Sequence, residues 1–241
     1  MDLEFAVSLS EPWDRGLRAC RSIGRRIGHG KMIDVELYGG RRGFVEHVRV
    51  RVFYALGAYR GVCGIEWTSV RRLVFVCKGN ICRSPYANAR AHAMGVPSVS
   101  YGLDAAGGAP ADPAASRNAS VRGVDLAAHR SAKLESSLIT KGDLFIVFEP
   151  WHVKEILRRS IDRVPATTLL GIWARPIRPH IEDPYGRSDR YFQQCFSVID
   201  ANIARLVERM ARGGAPAARG LPPEGLGEHA VNGSSCDRSL V

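Results

Sequence analysis

The chain has 241 residues, 45% hydrophobic and 24% charged, with 34 Lys and Arg against 24 Asp and Glu for a net charge of +10. That length suits one sizeable core with extensions better than two full domains, and the composition excludes wholesale disorder and collagen-like repeats. No stretch approaches the ~18 to 20 apolar residues of a membrane span, and the N-terminus, acidic at Asp2 and Glu4, lacks a secretory signal pattern, so a cytoplasmic protein is expected.

The positive charge comes from 29 Arg and 5 Lys spread along the chain with no run of five or more. This reads as a dispersed basic surface that attracts anionic substrates, not as a nucleic-acid footprint. The six cysteines, Cys20, Cys63, Cys77, Cys82, Cys195 and Cys236, form no CxxC pair and have no His at ligand spacing. Neither a zinc site nor a disulfide framework is indicated, and no cofactor is expected.

In chain order, residues 1–70 alternate basic and apolar positions, and Val45 to Val62 reads equally as a strand or an amphipathic helix. From Arg72 the pattern sharpens. Leu73-Val74-Phe75-Val76 is a short apolar run followed by a Gly/Asn/Ser/Pro cluster and then by Pro85 to Ala91, which predicts strand, loop, helix. Pro85 falls where a first helical turn tolerates it. Val99-Ser100-Tyr101 is a brief strand, and Asp112-Pro113 opens a helix that Gly123 stops. Leu144 to Phe148 is a continuous apolar run of the kind buried on both faces. Trp151 to Arg159 suits a helix, Ala166 to Leu170 a strand, and Ser188 to Arg212 a long closing helix with Phe192, Phe196, Ile199, Ile203 and Leu206 along one side. Alternating strands and helices imply an α/β fold, a parallel sheet covered on both faces. Beyond Arg212 the Gly- and Pro-rich sequence predicts a flexible tail over 213–241.

The chemistry concentrates in the first loop, Cys77-Lys78-Gly79-Asn80-Ile81-Cys82-Arg83-Ser84. A tight loop between a strand and a helix N-terminus points backbone N–H groups inward, and the planar fork of Arg83 holds two oxygens of a phosphoryl group. The same field favours a thiolate at Cys77, ready to attack phosphorus. Spacing alone carries nothing: a Cys followed six places later by Arg is expected about 0.7 times in a chain of this composition. Cys20 and Arg26 are such a decoy, with no apolar strand before them and Ile27 after. An Asp before Pro, as at Asp183, is biased away from helix, which suits a carboxylate projecting from a loop.

The string Val76-Cys77-Lys78-Gly79-Asn80-Ile81-Cys82-Arg83-Ser84-Pro85 closely resembles the signature of the low-molecular-weight protein tyrosine phosphatases. Ile181 to Gly186 resembles that family's acid loop, and Ser100, Gly102, Ala111-Asp112-Pro113, His129 and Asp143 fall where its landmarks lie. The resemblance spans about Arg72 to Arg212. It implies a single doubly wound sheet of about four strands in flavodoxin-like order and a phosphatase domain over 71–212, and says nothing about the basic N-terminal extension over 1–70, whose removal is expected to leave catalysis largely intact. It also implies roles. Cys77 is the nucleophile that forms a cysteinyl-phosphate, Arg83 binds the phosphoryl oxygens, and Asp183 is the general acid. Lys78, Gly79, Asn80, Ile81, Cys82 and Ser84 complete the phosphate-binding loop, in which Ser84 assists the thiolate and Asn80 takes left-handed geometry. His129 hydrogen-bonds that asparagine, Tyr185 is one wall of the substrate slot, and Cys82 matches a second cysteine that traps an oxidised nucleophile, its other reading being a small buried hydrophobe.

The sequence departs from the family at about Ala106, where some relatives carry an aromatic or bulky opposite wall, and at Tyr101, where a small residue is commoner and which reads as core or as cleft lining. Leu170-Gly171-Ile172-Trp173 and Asp183-Pro184-Tyr185 resemble the bacterial branch associated with polysaccharide-export tyrosine kinases, which implies a phosphotyrosine cluster on a membrane kinase as partner. Two other functions use related features. A thiol-dependent arsenate reductase needs resolving cysteines, and between Arg83 and Gln194 the chain has none. A phosphate-reading binding protein needs neither the nucleophile nor the acid.

Overall fold

The structure, a computed structural model, describes residues 34–62, 64–159 and 165–218. From Asp34 onward the described residues belong to one compact unit, which begins at the Ile33/Asp34 division. The decoy pair Cys20 and Arg26 precedes that division and lies outside the described residues, as do Cys63 and Cys236.

Four strands, β1 (Arg72–Cys77), β2 (Ser98–Gly102), β3 (Asp143–Val147) and β4 (Ala166–Leu169), form one sheet in the order β2-β1-β3-β4. Every pairing is parallel, with Phe75 opposite Ser100 on one side and Ile146 on the other. This is the doubly wound, flavodoxin-like order that the family resemblance implies. The helices are α1 (Arg41–Ala55), α2 (Arg83–Ala93), α3 (Pro113–Ser120), α4 (Pro150–Arg159) and α5 (Asp189–Arg212). Strand alternation sorts them into two layers. Leu73, Phe75 and Cys77 of β1 face a core built with Tyr86 of α2, Ala115 of α3 and Phe192 and Phe196 of α5. Val74 and Val76 face the opposite core with Ile156 of α4 and the half-buried Tyr54 and Tyr59. The whole predicted apolar side of α5 is buried. Tyr86 stacks on Phe196 at 3.8 Å between ring centroids, and its hydroxyl donates to Asp200 of α5, so α2 is fixed against α5 at both ends of one side chain.

The ambiguous segment Val45 to Val62 resolves as helix α1 through Ala55, with a 3-10 turn at Arg60–Val62. The alternation Val48-Arg49-Val50-Arg51-Val52 is a strand pattern, yet the buried positions are Gly43, His47 and Val50, which follow the helical period. At the other end, Ala215 and Ala217 are buried and the Ala217 amide donates to the Val70 carbonyl at 3.1 Å. The first residues of the expected tail therefore belong to the core, and 219–241 lie outside the described residues.

Because Val50 and Val62 are buried in this packing, a chain lacking residues 1–65 is expected to melt about 5 °C or more below one lacking residues 1–33, as scanning calorimetry of the two truncations will measure.

Candidate active site

β1 carries Cys77 to the carboxyl edge of the sheet, the edge where open parallel sheets bind ligands. The next five residues turn tightly and α2 begins at Arg83. The carbonyls of this turn are engaged from outside. Cys77 O accepts from Leu103 N at 2.9 Å, Lys78 O from Asp104 N at 2.8 Å, and Ile81 O from Asp112 N at 2.9 Å. Asn80 O faces His129 Nε2 at 2.7 Å, and since a carbonyl only accepts, Nε2 is the donor. Carbonyls turned outward leave the amides turned inward, and the Asn80 amide donates to Cys77 Sγ at 3.3 Å.

Asn80 sits at φ 54, the single positive-φ non-glycine among the described residues. Its side chain holds it there: Oδ1 accepts from the Ala132 amide at 2.8 Å, and Nδ2 donates to Ser84 Oγ at 2.8 Å and Ser100 Oγ at 2.9 Å. That arrangement sets the direction of the next bond. With Nδ2 donating into Ser84 Oγ, the hydroxyl hydrogen of Ser84 has two acceptors in reach, Cys77 Sγ at 3.1 Å and the Tyr101 carbonyl at 3.4 Å, and a thiolate at Cys77, which can only accept, takes the nearer bond. Gly102 lets β2 lie flat beneath the loop, because a Cβ there would come within 2.9 Å of Gly79 C and Asn80 N.

Arg83 is 1% exposed. Its Nη1 donates to Glu149 Oε1 at 2.6 Å and to the Ile181 carbonyl at 2.8 Å. Its Nη2 lies 2.9 Å from Asp183 Oδ2, in an ion pair without hydrogen-bond alignment. Nε and Nη2 are thus buried donors with no hydrogen bond, and they form one edge of the fork, the edge that matches two oxygens of a tetrahedral anion. Burial works against the charge of Arg83, but Glu149, Asp183 and Cys77 outweigh it and hold the guanidinium firmly protonated.

The structure therefore brings Cys77, Asn80, Arg83, Ser84 and His129 together and sets Asp183 over Arg83. Cys82 is buried, and burial, followed by the charges of Asp183, Asp112 and Cys77, pushes its thiol above the ordinary range. Lys78 is exposed beside the loop, Gly79 and Ile81 are half-buried within it, and Tyr185 is 62% exposed next to Asp183. Ala106 is exposed. Tyr101 packs into the core on the α4 side of the sheet, so it is core and not cleft lining. Asp112 caps α3, accepting from the Ala114 and Ala115 amides. Asp143 stands at the opposite end of the strands, bonded to Arg72 at 2.8 and 2.7 Å, away from the loop.

Sequence reasoning missed Glu149 and the stem of the acid loop. Glu149 follows directly on the apolar run that forms β3, and the one signal for it in the sequence is Arg83 itself, a cation that needs a carboxylate partner once it is buried. The stem is fastened by Ile181 N to Phe148 O at 2.8 Å and Arg178 N to Gly171 O at 2.7 Å, bonds with no sequence pattern. Behind Arg83, His152 is fully buried, and burial holds its imidazole neutral, well below the usual value. Its Nδ1 accepts from the Glu149 amide at 3.2 Å. Glu149, His180 and Glu182 place one donor atom each within 4.8 Å of one another, but Glu149 already binds Arg83, and Glu182 binds His180 at 2.8 Å. The group reads as the counter-ion network of the arginine.

Residues 72–215 match the family model described as low molecular weight phosphotyrosine protein phosphatase. The chain is 32% identical over 143 residues to a probable low molecular weight protein-tyrosine-phosphatase, EpsP, of Ralstonia solanacearum, covering 58% of this chain and 97% of that protein. The crystal structure of the Erwinia amylovora tyrosine phosphatase AmsI superposes with a TM-score of 0.54 at 31% identity, over 58% of this chain and 92% of that one. Wzb of Vibrio vulnificus in complex with benzylphosphonate does so at 0.53 and 28%, over 58% and 99%.

Removing the carboxylate of Glu149 leaves the buried Arg83 charge short of its main partner. Glu149→Ala is expected to destabilise the protein by about 3 kcal/mol, as urea denaturation will measure.

Proposed function

This chain belongs to the low molecular weight phosphotyrosine protein phosphatase family, and on that basis we propose that its residues divide the hydrolysis of phosphotyrosine as follows. Cys77 Sγ attacks phosphorus, forming an S–P bond as the P–O bond to the tyrosyl oxygen breaks, and Asp183 supplies the proton that the leaving phenolate takes. The Nε–Nη2 edge of Arg83 and the inward amides of residues 78–82 hold the three equatorial oxygens, with α2 adding the partial positive charge of its N-terminus. Water then attacks the cysteinyl-phosphate with the Asp183 carboxylate accepting its proton, and the S–P bond breaks with the electron pair returning to sulfur. The hydroxyl of Ser84 stabilises that departing thiolate. Asn80 and His129 act on the loop, not on the substrate: they keep its carbonyls outward. Tyr185, exposed beside the acid, is placed to lie along the phenyl ring, and Lys78 at the rim favours acidic sequence around it. With Ala106 opposite, the slot has one aromatic wall.

The single observation that carries this reading is the convergence of a buried arginine's unbonded fork edge, a sulfur receiving an amide and a hydroxyl, and a carboxylate 2.9 Å from the same guanidinium. An arsenate reductase needs an accessible resolving thiol. Cys195 is buried in α5, where burial pushes its thiol up to about 12.

No helix among the described residues is long and apolar enough to cross a membrane. The substrate we assign is a phosphotyrosine cluster on a membrane tyrosine kinase of polysaccharide export, met on its cytoplasmic side. The Leu170–Trp173 turn and the Asp183-Pro184-Tyr185 loop support that branch.

Cys77→Ser is expected to abolish turnover of an aryl phosphate while keeping oxyanion binding, as titration with vanadate and an initial-rate assay will measure; substantial residual turnover contradicts the nucleophile. Asp183→Ala is expected to lower kcat/KM by about 10²-fold or more for a weakly acidic phenol and far less for a strongly acidic one. An equal loss along the leaving-group series removes Asp183 from the acid role.

A further inference from the structure

The Asp183 loop is held from two sides by a segment that precedes the family-matched region, whose first residue is 72. A 3-10 turn over Val35–Tyr38, capped by Asp34 and closed by Gly39 and Gly40 at φ 81 and 94, lies against both stems of that loop. On the C-terminal stem, Arg190 pairs with Asp34 and, through Nη1 at 3.0 Å, with Glu36. Ser188 Oγ donates to Glu36 Oε1 while accepting from the Tyr191 amide to cap α5. On the N-terminal stem, Arg178 lies 4.7 Å over the Tyr38 ring and donates to the Leu37 carbonyl at 3.4 Å. Between them, Gly39 lies so close to the residue before the acid that a Cβ would come within 2.8 Å of Glu182 Cγ and 3.1 Å of Tyr191 Cζ. Tyr191 Oη in turn donates to the Glu182 carbonyl at 3.1 Å.

Asp183 itself is held by little. Its side chain is 35% exposed, and beyond Arg83 its one bond is from the Tyr185 amide at 3.2 Å. A carboxylate on an exposed loop stays over a buried guanidinium only if the backbone on either side is fixed, and misplacement on the scale of 1 Å is enough to cost a proton transfer about two orders of magnitude.

We propose that Asp34–Gly40 is a positioning element for the general acid: by clamping residues 178–182 and 188–191 together it keeps the Asp183 carboxylate over Arg83, so that part of the acid catalysis of this enzyme resides in its N-terminal extension. The inference rests on the reading of Asp183 as the acid. Gly39 and Arg190 are the positioning residues, and neither touches substrate. A purely structural role for the segment lowers all rates alike. A positioning role lowers only those that need the proton.

The test is kcat/KM for full-length protein across aryl phosphates from dinitrophenyl to phenyl phosphate, in wild type, Gly39→Val, Arg190→Gln, Asp183→Ala and the Gly39→Val/Asp183→Ala double variant. Gly39→Val is expected to lower phenyl phosphate turnover about tenfold while dinitrophenyl phosphate changes about twofold or less, and to add nothing in the Asp183→Ala background. Arg190→Gln, which removes only surface ion pairs, is expected to steepen the same dependence by about threefold and carries the test if Gly39→Val does not fold. A uniform loss along the series, an equal further loss in the Asp183→Ala background, or no change in either single variant overturns the proposal. If Asp183→Ala itself leaves the leaving-group dependence unchanged, the acid assignment fails and the proposal with it; a steepened Asp183→Ala with flat Gly39→Val and Arg190→Gln overturns the positioning role alone.

Discussion

A guanidinium taken wholly out of water must find its partners in the protein, and the architecture around Arg83 follows from that demand. Glu149 supplies the charge at 2.6 Å and the Ile181 carbonyl a further acceptor, both on Nη1. The two groups come from the chain just beyond β3 and from the stem leading to Asp183. Meeting the arginine's need therefore fixes the C-terminal edge of the sheet, the acid loop and the start of α2 relative to one another. With Nη1 consumed by these two acceptors, the Nε–Nη2 edge of the fork is left without a hydrogen-bond partner. The same bonds that make the burial of the cation tolerable thus aim it.

The loop opposite is built by an analogous economy. Left-handed backbone at a non-glycine costs of order 1 to 3 kcal/mol, and at Asn80 three side-chain hydrogen bonds and one from His129 offset it. These bonds also serve the sulfur: one orders Ser84, the bond from His129 holds the Asn80 carbonyl outward, and those to Ser100 and Ala132 fix the side chain that keeps the loop in place. Gly102 contributes by lacking a side chain, which brings β2 into contact with the loop backbone. Rigidity and negative-charge stabilisation are here the same set of contacts, which is why an anion site of this kind needs no reorganisation when substrate arrives.

Much of this is legible in the sequence. The apolar run ending at Cys77, the Gly/Asn/Ser/Pro cluster and Pro85 marked strand, loop and helix, and the five apolar positions of α5 marked its buried side. The α1 region was not, because Val48 to Val52 alternates with period two while the helix buries only one of its valines. Neither was the start of the tail, where small alanines at 215 and 217 join the core that holds Val70, and Ala217 bonds its carbonyl, without any hydrophobic signal strong enough to announce it.

Local sequence determined which atoms do chemistry in this protein: a nucleophile, a fork and a loop all lie within eight consecutive residues, where backbone geometry alone relates them. Only the tertiary structure decided which carboxylate neutralises Arg83, how Asp183 comes over it, and that Asp34–Gly40 lies against the stems of the acid loop. Those relations join residues 66 to 156 positions apart. They are set by the need to bury apolar faces and pair buried charge across the whole fold, a condition no local pattern records.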